Sequence, residues 1–251
     1  MSQGGVLTGF GAVLRREFAG YFASPLALVF LIVFLVLTGV FTFYVGGFFE
    51  RGQADLAAFF NFHPWLYLFL APALAMRLWA EDRRSGAVEL LLTLPITTTA
   101  AVLGKFAAAW AMAGLALALT MPLWLTVNIL GAPDNGVILA GYLGSWLMAG
   151  GYLAIGACMS AATRNQVIAF VAGAAVAFVF TVSSFDMVLG VFKGWAPQAL
   201  INVIEGLSVL THFTTIAQGV IEGRGLVFFL SLIGFWLAAN VIVVEQQREA
   251  G

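Results

Sequence analysis

The sequence predicts an all-α, polytopic membrane protein. Six transmembrane helices are expected, with an N-terminal interfacial helix, a short cytoplasmic surface helix, and short outer-side helices before the last span. Three observations carry this. Of 251 residues, 62% are hydrophobic and only 9% are charged, whereas a water-soluble domain of this size carries about 25% charged residues. Mean hydropathy is +1.00. Apolar runs of about 18 residues or more recur along the chain, the length that crosses a bilayer core as a helix. The net charge of −1 and pI of about 6.1 point to neither nucleic acid nor an anionic surface as a partner. The single cysteine, Cys158, lies inside an apolar run. It reads as a small packing residue, with no disulfide within the chain and no zinc cluster.

The first element is read over 10–23, "FGAVLRREFAGYFA". Phe10, Leu14, Phe18, Tyr21 and Phe22 fall on one helical face, and Arg15 and Arg16 flank it. That pattern suits a helix lying in the membrane interface. Ser24–Pro25 breaks it. The run that follows is too long for a signal peptide, so it is expected to remain as an anchor. Spans are expected at about 26–48, 62–79, 100–130, 138–161, 167–189 and 226–244. The third is longer than a bilayer requires, so tilt or extension beyond the membrane is expected. "GAPDNG" supplies turn chemistry before the fourth, and "ATRNQ" joins the fourth to the fifth. Residues 190–224 mix Lys193, Glu205, His212, Glu222 and Arg224 with apolar residues. Short helices dipping into the outer leaflet or capping the domain fit best there. The chain reads as one transmembrane domain over 1–251.

Six spans place both termini on one side, and the Lys/Arg bias sets which. With the termini inside, Arg15, Arg16, Arg77, Arg83, Arg84, Lys105, Arg164 and Arg248 are cytoplasmic. Only Arg51, Lys193 and Arg224 are outside.

The stretch "AEDRRSGAVELLLTLPITTTAAVLGK" concentrates charge between two apolar runs, with Glu81, Asp82, Arg83, Arg84, Glu89 and Lys105 inside it. Residues 77–84 prolong the second span into water. Ser85–Gly86 permits a sharp bend. "AVELLLTL" makes a short amphipathic helix that Pro95 ends, and Thr97–Thr99 can cap the next helix. Such an element either docks in a groove of a partner or is a solvated loop that satisfies the positive-inside rule.

This stretch resembles the first cytoplasmic loop of ABC-2-type transporter permeases. The pattern of that family is acidic–basic, then Ser-Gly-Thr-Leu-Glu-Leu-Leu-Leu-Thr-x-Pro, then Gly-Lys. Glu81, Arg83, Arg84, Ser85, Gly86, Glu89, Leu91, Pro95, Gly104 and Lys105 match, while Ala87 stands where the family often has Thr. "REFAGYFASPLALVFLIVFLVLTG" and "FFNFHPWLYLFLAPALAMRLWAEDRRSG" look most like the gliding-motility-type (GldF-like) branch, a likeness strong over 10–110. The resemblance implies an exporter-type permease subunit in the bacterial inner membrane. In it, loop 80–99 is the coupling helix that contacts a separate ATPase through Glu81, Arg83, Arg84, Gly86, Glu89, Leu91 and Pro95. It implies two ATPase copies, a second permease subunit (identical or a close paralogue), and an accessory protein with a periplasmic domain. No cofactor is expected on this chain, and ATP and Mg belong to the partner. The gliding-type likeness leaves an alternative open: an ATP-driven mechanical device acting on a periplasmic protein.

The residues themselves argue against other classes. The only Gly-Lys is followed by Phe106 rather than Ser/Thr, so no P-loop is expected here. No catalytic motif of an intramembrane enzyme is present, and His63 and His212 stand alone, read as residues near the outer interface. An ion carrier would show charge at mid-span, whereas Asn128 and Asp186 fall near span ends. Gly141, Ser145 and Ala149 in the fourth span, and Ala169, Gly173 and Ala177 in the fifth, recur every four residues. Such small-residue faces let helices approach closely, either within one subunit or at a dimer seam.

Overall fold

The computed structural model describes residues 9–23, 25–88 and 94–249. Their regular structure is all helical, with no strand among them. Helix α1 is Phe10–Ala23, and α2 is Pro25–Val40, prolonged by a π turn over Phe41–Val45. Helix α3 is Ala57–Asn61, α4 is His63–Ala75 and α5 is Arg77–Ser85. Helix α6 (Thr98–Ala118) and helix α7 (Met121–Leu130) meet at a break at Leu119–Thr120, with Pro122 in the first turn of α7. Helix α8 is Asn135–Ala162, α9 is Gln166–Val182 and α10 is Asp186–Lys193. Helices α11 (Gln198–Gly206), α12 (Val209–Ala217) and α13 (Gly223–Glu249) complete the chain.

Among the described residues, four helices are long and apolar enough to cross a membrane: Ala27–Val45, Thr98–Leu130, Asn135–Ala162 and Gly223–Arg248. Two bent pairs, α9 with α10 (83°) and α11 with α12 (58°), raise this to six if each pair is one span. Five of those six fall where the sequence expects spans, the one at 167–189 bent, and the sixth lies in the segment expected to hold short outer-side helices. The expected span at 62–79 is not among them, because its helix carries His63, Pro64, Pro72 and Arg77 and breaks at Met76. The expected span at 167–189 stops at Val182, and the chain turns at 183–185 before α10. Ser183 donates to the Phe180 carbonyl, and Ser184 bonds Ser208 at 2.9 Å. Hydroxyls that satisfy local groups let the backbone leave the helix. The continuation "DMVLGVF" is still apolar, so hydropathy does not mark the bend. The 190–224 segment holds the end of α10 and all of α11 and α12.

Helix α8 is the hub. At 28 residues it is about 42 Å long, and 83% of its most apolar window is buried. Helices α4, α6, α9, α12 and α13 pack around it. A side chain at Gly141 would collide with the Phe60 ring at 2.5 Å, and one at Gly156 with Ala75 at 2.7 Å. Lipid offers no hydrophobic drive between helices, so such close fits supply the packing energy. Helix α4 fills the gap between α2, α8 and α9. Its Tyr67, Leu74 and Ala75 are buried against those helices, while Trp65 and Phe69 stay exposed on the opposite face.

Candidate functional site

The charges of α5 build one end of the bundle. Pro72 lies within α4 and lacks an N–H, and the helix breaks at Met76. A serine from α8 repairs the break. The Ser160 hydroxyl accepts from the Trp79 and Ala80 N–H groups at 3.1 and 3.0 Å and donates to the Met76 carbonyl at 2.7 Å. Ser160 is fully buried. One side chain thereby replaces backbone bonds that a continuous helix would make.

Beyond the break, Arg77 pairs with Glu81 one turn on, with a guanidinium N–H to Glu81 Oε1 at 2.6 Å. That hydrogen bond holds the Glu81 carboxyl below its usual range. Arg83 donates to the Ala161 carbonyl at the end of α8. Burial, then Arg164, lowers the Arg83 pKa. Gln247 of α13 donates to the same carbonyl at 3.1 Å, so three helices share one acceptor. The helix ends on Gly86 with φ of 76°, a left-handed conformation in which glycine is unstrained.

The sharpest feature is Lys105, on the second turn of α6 and 1% exposed. Its Nζ donates to Glu17 Oε1 of α1 at 3.0 Å and to Asp82 Oδ2 of α5 at 2.6 Å. It also lies 5.3 Å from the centre of the Trp79 ring. A cation removed from water is held this way only when carboxylates surround it. The preceding residue explains the close approach. A Cβ at Gly104 would stand 2.8 Å from Val13 and 3.2 Å from the Leu14 amide, so only glycine lets α1 lie on α6. Between α1 and α5 runs a cleft of about 280 Å³, lined by Arg16, Glu17, Tyr21, Arg77, Glu81 and Asp82.

The residues expected to contact a partner are placed as follows. Glu81 and Arg83 are partly buried and engaged within the chain, as above. Arg84, Gly86 and Pro95 are exposed, as is Leu94 at 47%. Glu89 and Leu91 lie outside the described residues. Thr97 caps α6 by accepting the Ala100 N–H at 3.1 Å. The small residues expected to pack or to form a dimer seam are buried within this chain. Gly141 meets Phe60, Ser145 and Ala149 are fully buried, and Gly173 meets Gly156 and Pro72. Ala169 and Ala177 are fully buried too.

His63, expected near an interface, is fully buried at the start of α4, and its Nδ1 lies 2.9 Å from the Phe59 carbonyl. His212 bonds the Gly206 carbonyl at 3.0 Å and stacks on Phe228. Among the described residues no group of three His, Cys, Asp or Glu residues is placed to hold a metal.

Sequence reasoning missed Glu17, Asp82 and Ser160, and read Lys105 only as part of a motif. The available signal was Lys105 itself, a charge one turn inside an apolar run. Its partners are 23 and 88 residues away, beyond the reach of local spacing.

The family model described as CcmB protein matches residues 13–164. The match spans α1 to the end of α8 and so includes the Lys105 triad and Ser160. No curated protein matches the chain. CcmB-family permeases work with an ATPase in an ABC transporter. With more than half of its length matched and its helices long and apolar enough to cross a membrane, the chain belongs to the CcmB protein family and is a membrane permease subunit of an ABC transporter.

Proposed function

We propose that this chain is the exporter-type permease of the bacterial inner membrane in which loop 80–99 receives a separate ATPase. The observation that supports this most is the construction of the loop's root. Helix α5 is fastened to α8 through Ser160 and to α1 and α6 through Lys105. Arg84, Gly86, Leu94 and Pro95 are left exposed beyond it. A loop that merely satisfied the positive-inside rule would need no such anchorage. Motion imposed on the loop is delivered to several helices at once.

The complex is proposed to hold two permease chains and two ATPase chains, with ATP and Mg on the ATPases and both permease termini cytoplasmic. The family's association with heme export makes heme the first cargo to test. The likeness of residues 10–110 to gliding-motility-type permeases supports a second reading, an ATP-driven device acting on a periplasmic partner.

The test is Glu89→Ala in the full complex, with Glu89 as the proposed anchor of the docking helix. ATPase recovery in pull-downs, or ATP turnover coupled to transport, should fall, while membrane insertion stays intact. Glu249→Ala in the C-terminal tail should change neither. Wild-type binding and wild-type coupling in Glu89→Ala would remove that residue from the docking surface. Heme-dependent stimulation of ATP turnover would favour transport, whereas stable capture of a periplasmic protein without heme response would favour the mechanical reading.

A further inference from the structure

We propose that Lys105 is a positioning residue for coupling: with Glu17 and Asp82 it locks α1, α5 and the start of α6 into one body, so that a push on the 86–97 loop moves all three together. The proposal rests on the permease reading above, in that the push comes from the ATPase.

Three observations carry it. First, Lys105 is 1% exposed, and its two carboxylate partners come from two different helices. A buried cation with partners on separate elements is broken only at high cost, because separation leaves a charge unpaired away from water. The helices therefore move together or not at all. Second, Gly104 leaves no side chain where α1 crosses closest, a Cβ there standing 2.8 Å from Val13. Sliding of α1 along α6 would drive the Val13 side chain and Leu14 backbone against residues larger than glycine. Third, the two ends of the 86–97 loop both lead into the locked body. Its first end leaves α5 at Gly86, four residues after Asp82. At its second end, Ile96 abuts Gly9, the residue before α1, so closely that a side chain at Gly9 would collide with it. Thr97 then caps α6. A loop that served only as a tether would need one anchored end.

Replacing a buried ionic cluster as a whole is tolerated far better than removing one member. Lys105→Met alone leaves two carboxylates facing each other, and recovery of folded protein should drop sharply. The triple variant Glu17→Gln, Asp82→Asn, Lys105→Met should restore recovery but not the lock. Spin labels at Ala19→Cys on α1 and Ser85→Cys at the end of α5, both exposed positions, in a Cys158→Ala background, report the relation of the two helices. With the native triad, the labelled protein purified with its ATPase should give one narrow distance distribution, unchanged between the nucleotide-free and vanadate-trapped states. The triple variant should give a broadened distribution that shifts on trapping, and should hydrolyse ATP with loss of transport. Should the triple variant be recovered poorly, Glu17→Gln, at a partly exposed carboxylate, carries the same comparison. A distribution as narrow as the native one in both states, from the neutralised protein, overturns the proposal. If no ATPase accompanies the chain, the permease reading fails instead, while the nucleotide-free comparison still decides whether the triad locks α1 to α5.

Discussion

At the residue scale, Ser160 and Glu81 illustrate two very different costs. Ser160 satisfies two amide donors and one carbonyl inside the protein. Ser160→Ala leaves those groups without their partner at a buried position, which costs about 1–3 kcal/mol. Thermal unfolding in detergent should show a lowered midpoint, and Ser160→Thr, which keeps the hydroxyl, should recover part of it. An unchanged midpoint for the alanine variant would show that the break at Met76 tolerates unpaired amides. Glu81 is nearly half exposed, with a side-chain exposure of 41%. Its folded-state pKa lies below the ordinary value of 4.5 because Arg77 hydrogen-bonds the carboxylate. A depressed pKa contributes stability above the unfolded value, and that stability is lost as pH falls through the folded value. The pair is screened by solvent and is worth roughly 0–1 kcal/mol. Glu81→Gln should thus lower the unfolding midpoint slightly at pH 7. The gap from the native protein should close as the pH is taken below about 4.5.

At the scale of elements, α1 is the piece whose position depends on a single residue. Gly104→Leu inserts a side chain where 2.8 Å separates a Cβ from Val13. Overpacking of this kind costs about 1–3 kcal/mol. The expense is avoided if α1 lifts away, which also pulls Glu17 from Lys105. Limited proteolysis of membrane vesicles should therefore cut at Arg15 or Arg16 much faster in Gly104→Leu than in the native protein. Equal cutting rates would mean that α1 is held by its other contacts. Helix α8 behaves differently, since most of its surface is packed against its neighbouring helices and it is not free to lift. A large residue at Gly156 should reduce folded protein outright rather than free one helix.

At the scale of the molecule, the proposed topology and assembly make separate predictions. Cysteine at Gln53 or Asn135 should react with an impermeant thiol reagent in intact cells, and cysteine at Ser85 should not. Labelling at Ser85 under those conditions would invert the orientation. Native mass spectrometry of the purified complex should find two permease chains with two ATPase chains. An active complex with one permease chain would end the dimer proposal. Because the small-residue faces of α8 and α9 are filled from within the chain, a dimer has to use other surfaces.

The sequence by itself determined the class of the molecule. A chain with 9% charge cannot cover a water-facing surface, and run length maps directly onto bilayer thickness. Helices α1 and α2 and the long helices at 98–130, 135–162 and 223–249 were therefore legible, since local composition reports the solvent a segment faces. The packing of α4 and the bend after α9 were not. Hydropathy counts residues and does not see whether a helix faces lipid or protein. It missed that most of α4 packs against other helices, and it missed the 83° bend between α9 and α10. The anchorage of the loop was beyond its reach as well. Ser160 meets a helix break 81 residues upstream, and Lys105 meets Glu17 across 88. Helical periodicity relates neighbours three or four residues apart, and only the packing of α1, α5, α6 and α8 decides which distant charges and hydroxyls share one site.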